Sequence, residues 1–345
     1  MSLTFQPSDR LLVIAPHPDD ESLATGALLQ RLNQGGGKAR VLMVTNGDNN
    51  PWPQRWVEKR WQIGPTERQR WGALRRQEAR LALKKLSFDG DTHFLQFPDQ
   101  GMTSRLLRAD QETLDRFCKE IQEWNPTHLI IPSSYDLHPD HNALYVLLQI
   151  ALERTGRSHL PQLHFVVHCK RLDLVPRRVA IHLSDTERNA KRQAILCHGT
   201  QMALSRKRFL AYARPEEAYY EPEPARALMS AHQVIEAFLF EGALNLTVKQ
   251  PSRLGKGCSL LIAGESSTAG SLRWRLALPS TSRTVRLYDT VTDEPLRHAT
   301  VRITGGLARV KIPIAAFQPL SRLFVKLDRR RIFLDEAGWR EVPVH

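Results

Sequence analysis

The chain has 345 residues, of which 41% are hydrophobic and 25% charged, with a formal net charge of +13 and a pI near 9.9. Those proportions exclude a wholly disordered or fibrous chain, and no stretch reaches the roughly 18 consecutive apolar residues of a membrane-spanning helix. The opening, MSLTFQPSDR, has no basic start ahead of an apolar run, so a cytoplasmic protein is expected, at most peripheral on the inner membrane face. The basic excess predicts an anionic partner or surface. Cys118, Cys169, Cys197 and Cys258 show no CxxC spacing, which argues against a disulfide framework or a thiolate zinc site. They are expected to be buried apolar side chains.

In chain order, apolar runs at residues 11–15, 40–45, 92–97, 128–132, 163–168 and 178–183 read as strands, and amphipathic stretches fit between them. Leu23, Ala27, Leu28 and Leu32 form one helical stripe, closed by the turn at Gly35, Gly36 and Gly37; Leu144, Leu147, Leu148, Ala151 and Leu152 form another. This alternation predicts an α/β layer structure with a mostly parallel sheet over residues 1–247. Residues 51–71 stand out as a Trp- and Arg-rich insertion, read as a loop. Between Trp52 and Lys85 ten Lys and Arg face three Glu, together with four of the seven tryptophans. Such a mixture suits a membrane interface, an anionic glycolipid or stacked bases, or else a solvated helix whose tryptophans pack inward.

From about residue 248 the period changes to two. In SLRWRLAL, Leu272, Trp274, Leu276 and Leu278 oppose Arg273 and Arg275, and a hairpin is expected around Gly305 and Gly306. Residues 248–345 are therefore expected to form a small antiparallel β-sandwich-like domain.

Two strand-to-helix turns carry the chemistry. LLVIAPHPDDES places His17, Asp19, Asp20 and Glu21 directly after the first strand, and SSYDLHPDHNAL places His138, Asp140 and His141 after the fourth. Roughly one chance His-Pro-Asp is expected in several tens of chains this long, so two copies in equivalent turns are not accidental. Crowded carboxylates and imidazoles at the end of a sheet become favourable around a divalent cation. His17 and Asp20 sit three apart and His141 can complete a three-ligand set, which leaves Asp19, His138 and Asp140 beside it unassigned. Asp19 fits a base, His138 a group that meets a developing oxyanion, and Asp140 is able to orient His138.

The two motifs together resemble the LmbE/PIG-L-type family of metal-dependent de-N-acetylases. The resemblance covers about the first 240 residues and implies a Rossmann-like fold that removes acetyl groups from N-acetylglucosaminyl conjugates, usually with zinc. It implies His17, Asp20 and His141 as metal ligands, Asp19 as general base, and His138 as the group that stabilises the tetrahedral intermediate or protonates the amine. RRQEARLAL is similar to the family's Arg-x-x-Glu helix, implying Arg75 as a substrate contact partnered by Glu78. FPDQGM implies that Asp99 holds sugar hydroxyls, and KRQAILCHGTQ places His198, implied as a substrate contact, and Gln201 on the family's late helix.

The expected protein is a zinc-dependent hydrolase acting on an N-acetylglucosamine-type sugar in a larger, anionic or lipid-linked, lipopolysaccharide-like glycoconjugate. Ferrous iron or cobalt also suits two imidazoles and a carboxylate. Expected partners are the N-acetylated amino sugar and, peripherally, an anionic glycolipid or membrane surface. The loop at 51–71 would border the catalytic mouth, where it is expected to form a basic aromatic wall recognising a phosphorylated or lipid-linked sugar. A metal-dependent phosphoesterase is the competing enzyme, although a two-metal centre needs more acids. A basic nucleic-acid-binding protein lacks any matching signature, and a non-catalytic sugar-binding protein has no use for a base beside a metal.

Overall fold

The side chains of Leu11, Val13 and Ala15 point to one side of the first strand and those of Leu12 and Ile14 to the other, and all five are buried. A strand apolar on both faces requires helices on both faces of its sheet. The computed structural model, which describes residues 4–169, 177–220, 232–249, 258–331 and 333–344, shows that arrangement. The elements run β1 (Arg10–Ala15), α1 (Asp20–Gln34), β2 (Lys38–Thr45), α2 (Pro51–Glu58), α3 (Pro65–Lys85), β3 (Asp91–Phe97), α4 (Met102–Leu107), α5 (Gln111–Trp124), β4 (His128–Pro132) and α6 (Pro139–Arg154). There follow β5 (Gln162–Phe165), β6 (Arg177–His182), α7 (Asp185–Leu196), α8 (Gly199–Leu210) and β7 (Glu216–Tyr220).

The first sheet has the order β3-β2-β1-β4-β5-β7-β6. Strands β3, β2, β1, β4 and β5 are parallel, and β7 pairs antiparallel to both β5 and β6. The chain reverses its direction of winding between β1 and β4, and ligands of open α/β sheets bind beyond the carboxyl ends of the strands at such a point. The two His-Pro-Asp turns leave these two neighbouring strands, so residues more than a hundred apart in sequence share one edge.

The expectation of a loop at 51–71 is corrected. Most of it is helical, in α2 and the start of α3, because Pro51, Pro53 and Pro65 all fall in first turns, where proline costs no hydrogen bond. Trp71 alone of the four tryptophans packs inward.

The antiparallel sheet begins before residue 248. Its strands are β8 (Val234–Phe240), β9 (Ala243–Lys249), β10 (Ser259–Ser266), β11 (Gly270–Ala277), β12 (Arg283–Asp289), β13 (Pro295–Thr304), β14 (Leu307–Pro313), β15 (Leu320–Asp328) and, after the short pair β16 (Arg330–Arg331) and β17 (Leu334–Asp335), β18 (Arg340–Glu341). Their order is β18-β15-β10-β11-β12-β13-β14-β9-β8, with β16 and β17 paired separately. Strands β8 and β9 thus sit with the tail, and most of the stretch expected to link the two parts, 250–257, lies outside the described residues.

The sandwich is corrected to one curled sheet around one core, formed by residues such as Leu246, Ile262, Trp274, Val310 and Val325. Bulges at Glu265/Ser266 and Leu287/Tyr288 help it bend. The edges nearly close: Arg340 Nη1 donates to Val234 O at 2.7 Å, and the His232 ring meets Gly338 O at 3.1 Å. The opposite face of β10, Leu261 and Ala263, joins Phe324 and Trp339 in the core built on α4, α5 and α6. None of the four cysteines is disulfide-bonded, and all are partly exposed, less buried than expected.

Candidate active site

Because β1 and β4 are adjacent, with Leu11 opposite His128, their following turns converge. His17 Nδ1, Asp20 Oδ2 and His141 Nε2 form a triangle whose three sides are each 3.2 Å. Donors bonded to a tetrahedral zinc at about 2.0–2.1 Å stand about 3.3 Å apart, so this trio fits a divalent cation. His17, His138 and His141, and His17, Asp99 and Asp140, form wider groups that could also hold one, with donor atoms within 4.8 Å. The tight triangle fits best, because every other nitrogen of its imidazoles already has a carboxylate.

Those carboxylates set the imidazole orientations. His17 Nε2 faces Asp99 Oδ1 at 3.1 Å and Asp140 Oδ2 at 3.2 Å, and His141 Nδ1 faces Asp136 Oδ2 at 3.1 Å. Each ring thus keeps its other nitrogen for the triangle. Burial opposes charge on both rings, but Asp99, Asp140 and Asp20 hold His17 well above the usual imidazole value, and Asp136 and Asp20 hold His141 up to about 10. Despite burial, the paired Asp20, Asp99 and Asp136 all lie below the usual carboxylate range. The cluster demands positive charge at its centre, which a divalent cation satisfies on displacing the protons.

Asp19 lies between two members of the cluster and has φ 151° and ψ −28°, a conformation that favours glycine. Its backbone N–H donates to Glu21 Oε2 at 2.9 Å, and Arg75 Nη2 donates to its Oδ2 at 3.0 Å and to Pro18 O at 2.6 Å. Burial raises the Asp19 carboxyl to about 6, with Arg75 opposing and Asp20 adding to the rise. Strain of this kind costs about 1–3 kcal/mol. Asp19→Gly should therefore be more stable than Asp19→Ala by about 1–2 kcal/mol in urea unfolding, since both lose the carboxylate and only one relieves the backbone. Equal midpoints would contradict the strain.

Several expected roles change. Arg75 is buried and tethers Asp19; its Nη1 also donates to Gly47 O at 2.7 Å. A Cβ on Gly47, at φ +60°, would lie 1.9 Å from that guanidinium, so a glycine leaves the passage Arg75 needs. Glu78 does not pair with it but accepts from Thr200 N at 2.8 Å and from its hydroxyl. Asp99, expected to hold sugar hydroxyls, meets His17 Nε2 and accepts from Asn49 N at 3.1 Å.

His198, expected as a substrate contact, is fully buried and meets Glu21 Oε1 at 2.9 Å, and Glu21 in turn accepts from the Asp19 backbone. Gln201, on the same helix, is also buried, and its Nε2 donates to the Thr200 hydroxyl at 3.4 Å.

Asp140 meets His138 through its backbone N–H and not through its carboxylate. Its carboxylate is drawn to the unpaired amides at the start of α4, accepting from Gln100 N at 2.6 Å and Met102 N at 3.0 Å, and it reaches His17 instead. His138 is held by its own turn: its Nδ1 accepts from Asp140 N at 3.3 Å, which leaves the proton on Nε2. Burial and the neighbouring imidazoles push His138 well below its usual value.

Sequence reasoning missed Asp136 and His168. Asp136 also accepts from His138 N, Val167 N and His168 N, at 2.9, 2.7 and 3.1 Å, and the acid in YDLHPDH was a visible signal. His168 packs 5.4 Å from His138 and 5.3 Å from His141, ring centre to ring centre, and has no motif around it. Asp136→Asn should weaken divalent-cation affinity about 10–100-fold in a calorimetric titration.

Residues 12–152 match the family model described as PIG-L: GlcNAc-PI de-N-acetylase. Both turns lie inside the region that matches this family model. That match and the deacetylase relatives point to an N-deacetylase, a hydrolase of amide bonds. A 1D-myo-inositol 2-acetamido-2-deoxy-alpha-D-glucopyranoside deacetylase of Mycobacteroides abscessus is 28% identical over 239 residues, 57% of this chain and 82% of that protein. The Rhodococcus jostii enzyme of the same description is 28% identical over 169 residues, 44% of this chain and 56% of that protein. The chain thus spans about half the length of that second PIG-L relative. A crystal structure of the conserved protein TT1542 from Thermus thermophilus matches with a TM-score of 0.48 and 21% identity, over 62% of this chain and 95% of that one.

Proposed function

We propose that the chain removes the acetyl group from an N-acetylglucosamine-type sugar carried on a larger, anionic or lipid-linked conjugate, using a divalent cation held by His17, Asp20 and His141. The observation that carries this reading is the 3.2 Å triangle with the tethered Asp19 carboxylate beside it. Two imidazoles and one carboxylate favour zinc and admit ferrous iron or cobalt. When bound, the ion polarises an amide carbonyl and makes water more acidic.

The chain's own residues carry the remaining steps. Asp19, with a pKa of about 6, accepts the proton of the attacking water as its oxygen bonds to the acetyl carbon. Arg75 keeps the carboxylate aimed and partly ionised. His138 donates its Nε2–H to the oxygen that gains charge, a role open to it because its Nδ1 is already an acceptor. As the C–N bond breaks, the proton on Asp19 passes to the departing nitrogen, leaving acetate and a free amine.

The anionic substrate class is supported by the net charge of +13, and the sugar by relatives whose names specify a 2-acetamido-2-deoxy-glucopyranoside. The test is acetate release from N-acetylglucosamine, its inositol glycoside and a phosphate-bearing glycoside. Acetate should appear with kcat/KM highest for the phosphate-bearing compound. Release of phosphate without acetate would contradict the proposal.

A further inference from the structure

The α2 segment carries a surface that the deacetylation chemistry does not use. Pro53 and Gln54 anchor its inner side, with Gln54 Nε2 donating to Glu67 O at 2.8 Å. The outer side shows Trp52, Trp56 and Trp61 at 49%, 68% and 76% exposure, with Val57 beside them at 47%. Three tryptophans that exposed, so close in sequence, are unusual on a surface that faces only water.

The wall is ordered. The Arg55 guanidinium lies 5.1 Å from the Trp52 ring centre and 5.0 Å from that of Trp61, and its Nε donates to Trp61 O at 2.9 Å. Arg55 thus ties the two indoles together while both stay exposed. The segment's two acids are neutralised locally, Glu58 by Arg70 at 2.6 Å and Glu67 by Arg60 at 2.9 Å. Arg55, beside Trp52 and Trp61, and the exposed Lys59 of the same segment remain as basic charge not paired to those two acids.

We infer that this wall docks the protein on the surface of a bilayer containing anionic lipid. Indoles prefer the headgroup level, where an apolar ring meets lipid and its N–H meets water, and Lys and Arg add attraction to anionic headgroups. With its acids paired, the wall presents no net negative charge to repel that surface. The wall is also joined to the active site: Asn49, just before α2, donates its N–H to Asp99 at 3.1 Å and accepts from Gln100 Nε2 at the same distance. Docking there holds the catalytic edge near the bilayer. The inference is independent of which sugar is deacetylated.

The test is co-sedimentation of the full chain with vesicles of phosphatidylcholine and phosphatidylglycerol in equal parts, against phosphatidylcholine alone. Binding should require phosphatidylglycerol, weaken with salt and shift tryptophan emission to the blue. Lys59→Gln should lower the partition coefficient about fivefold. Trp56→Ser with Trp61→Ser should lower it at least about tenfold and abolish the emission shift, while deacetylation of a water-soluble sugar stays unchanged. No binding to the mixed vesicles, or equal binding by the double variant, would overturn the inference. So would a loss of activity on the soluble sugar, which would make the wall a substrate wall.

Discussion

Replacing Asp19 with asparagine should lower kcat by about 10²–10⁴-fold and leave divalent-cation affinity nearly unchanged. Asparagine keeps the shape of the side chain and can still meet Arg75, but it cannot accept a proton from water. The carboxylate is placed for that single task. It is buried, its pKa stands near 6, and Arg75 and Glu21 hold its side chain and backbone separately. The kinetics should separate this from a metal defect: kcat falls, KM moves little, and a calorimetric titration of the metal-stripped variant gives the wild-type Kd. A variant that lost cation affinity and activity together would place Asp19 among the ligands.

The second large effect is expected far from the motifs, at Lys326. This lysine of β15 is buried, paired with Asp335 and donating to Asn142 Oδ1 at 3.1 Å, and Asn142 in turn donates to Asp335 at 2.9 Å. Asn142 follows His141, and Asp335 N donates to Leu137 O at 2.8 Å inside the same turn. Gly338 lies against that turn so closely that a Cβ there would meet Ser134 O at 1.5 Å. The second sheet therefore braces the turn carrying Asp136, His138 and His141.

Removing one member of a buried ion pair costs about 3–5 kcal/mol, and loosening support behind a ligand weakens a metal site about 10–100-fold. Lys326→Met should show both effects, in urea unfolding and in the cation Kd. Asn142→Ala, a milder change, should show the affinity loss even if Lys326→Met fails to fold. Normal affinity in Asn142→Ala would reduce the second sheet's role to stability alone.

How much of this was legible follows from how local each signal is. An apolar strand, a His-Pro-Asp turn and a helix are written within about twelve residues, so the composition of the site could be read from the chain. Partner choice could not. Asp140 sits beside His138 in sequence, yet its carboxylate goes to amides of a helix start some forty residues away, because unpaired N–H groups attract it more strongly. Arg75 and Glu78 share a helix but face different neighbours, and only the packing of α3 shows that.

At 51–71 the Trp and Arg content drew attention away from Pro51, Pro53 and Pro65, which all occupy helix first turns. The hairpin joining β8 to β9 was missed although Glu241 and Gly242, both at positive φ, mark its turn. The brace from Lys326 and Asp335 carries no sequence signal, since it depends on two sheets meeting.

The central claim is a divalent-cation-dependent N-deacetylase, and the direct measurement is acetate release from an N-acetylglucosaminyl inositol before and after stripping by a chelator. The account predicts that stripping abolishes release, that one cation per chain restores it, and that His141→Ala binds that cation at least about 100-fold more weakly. Undiminished acetate release from the stripped protein would contradict it.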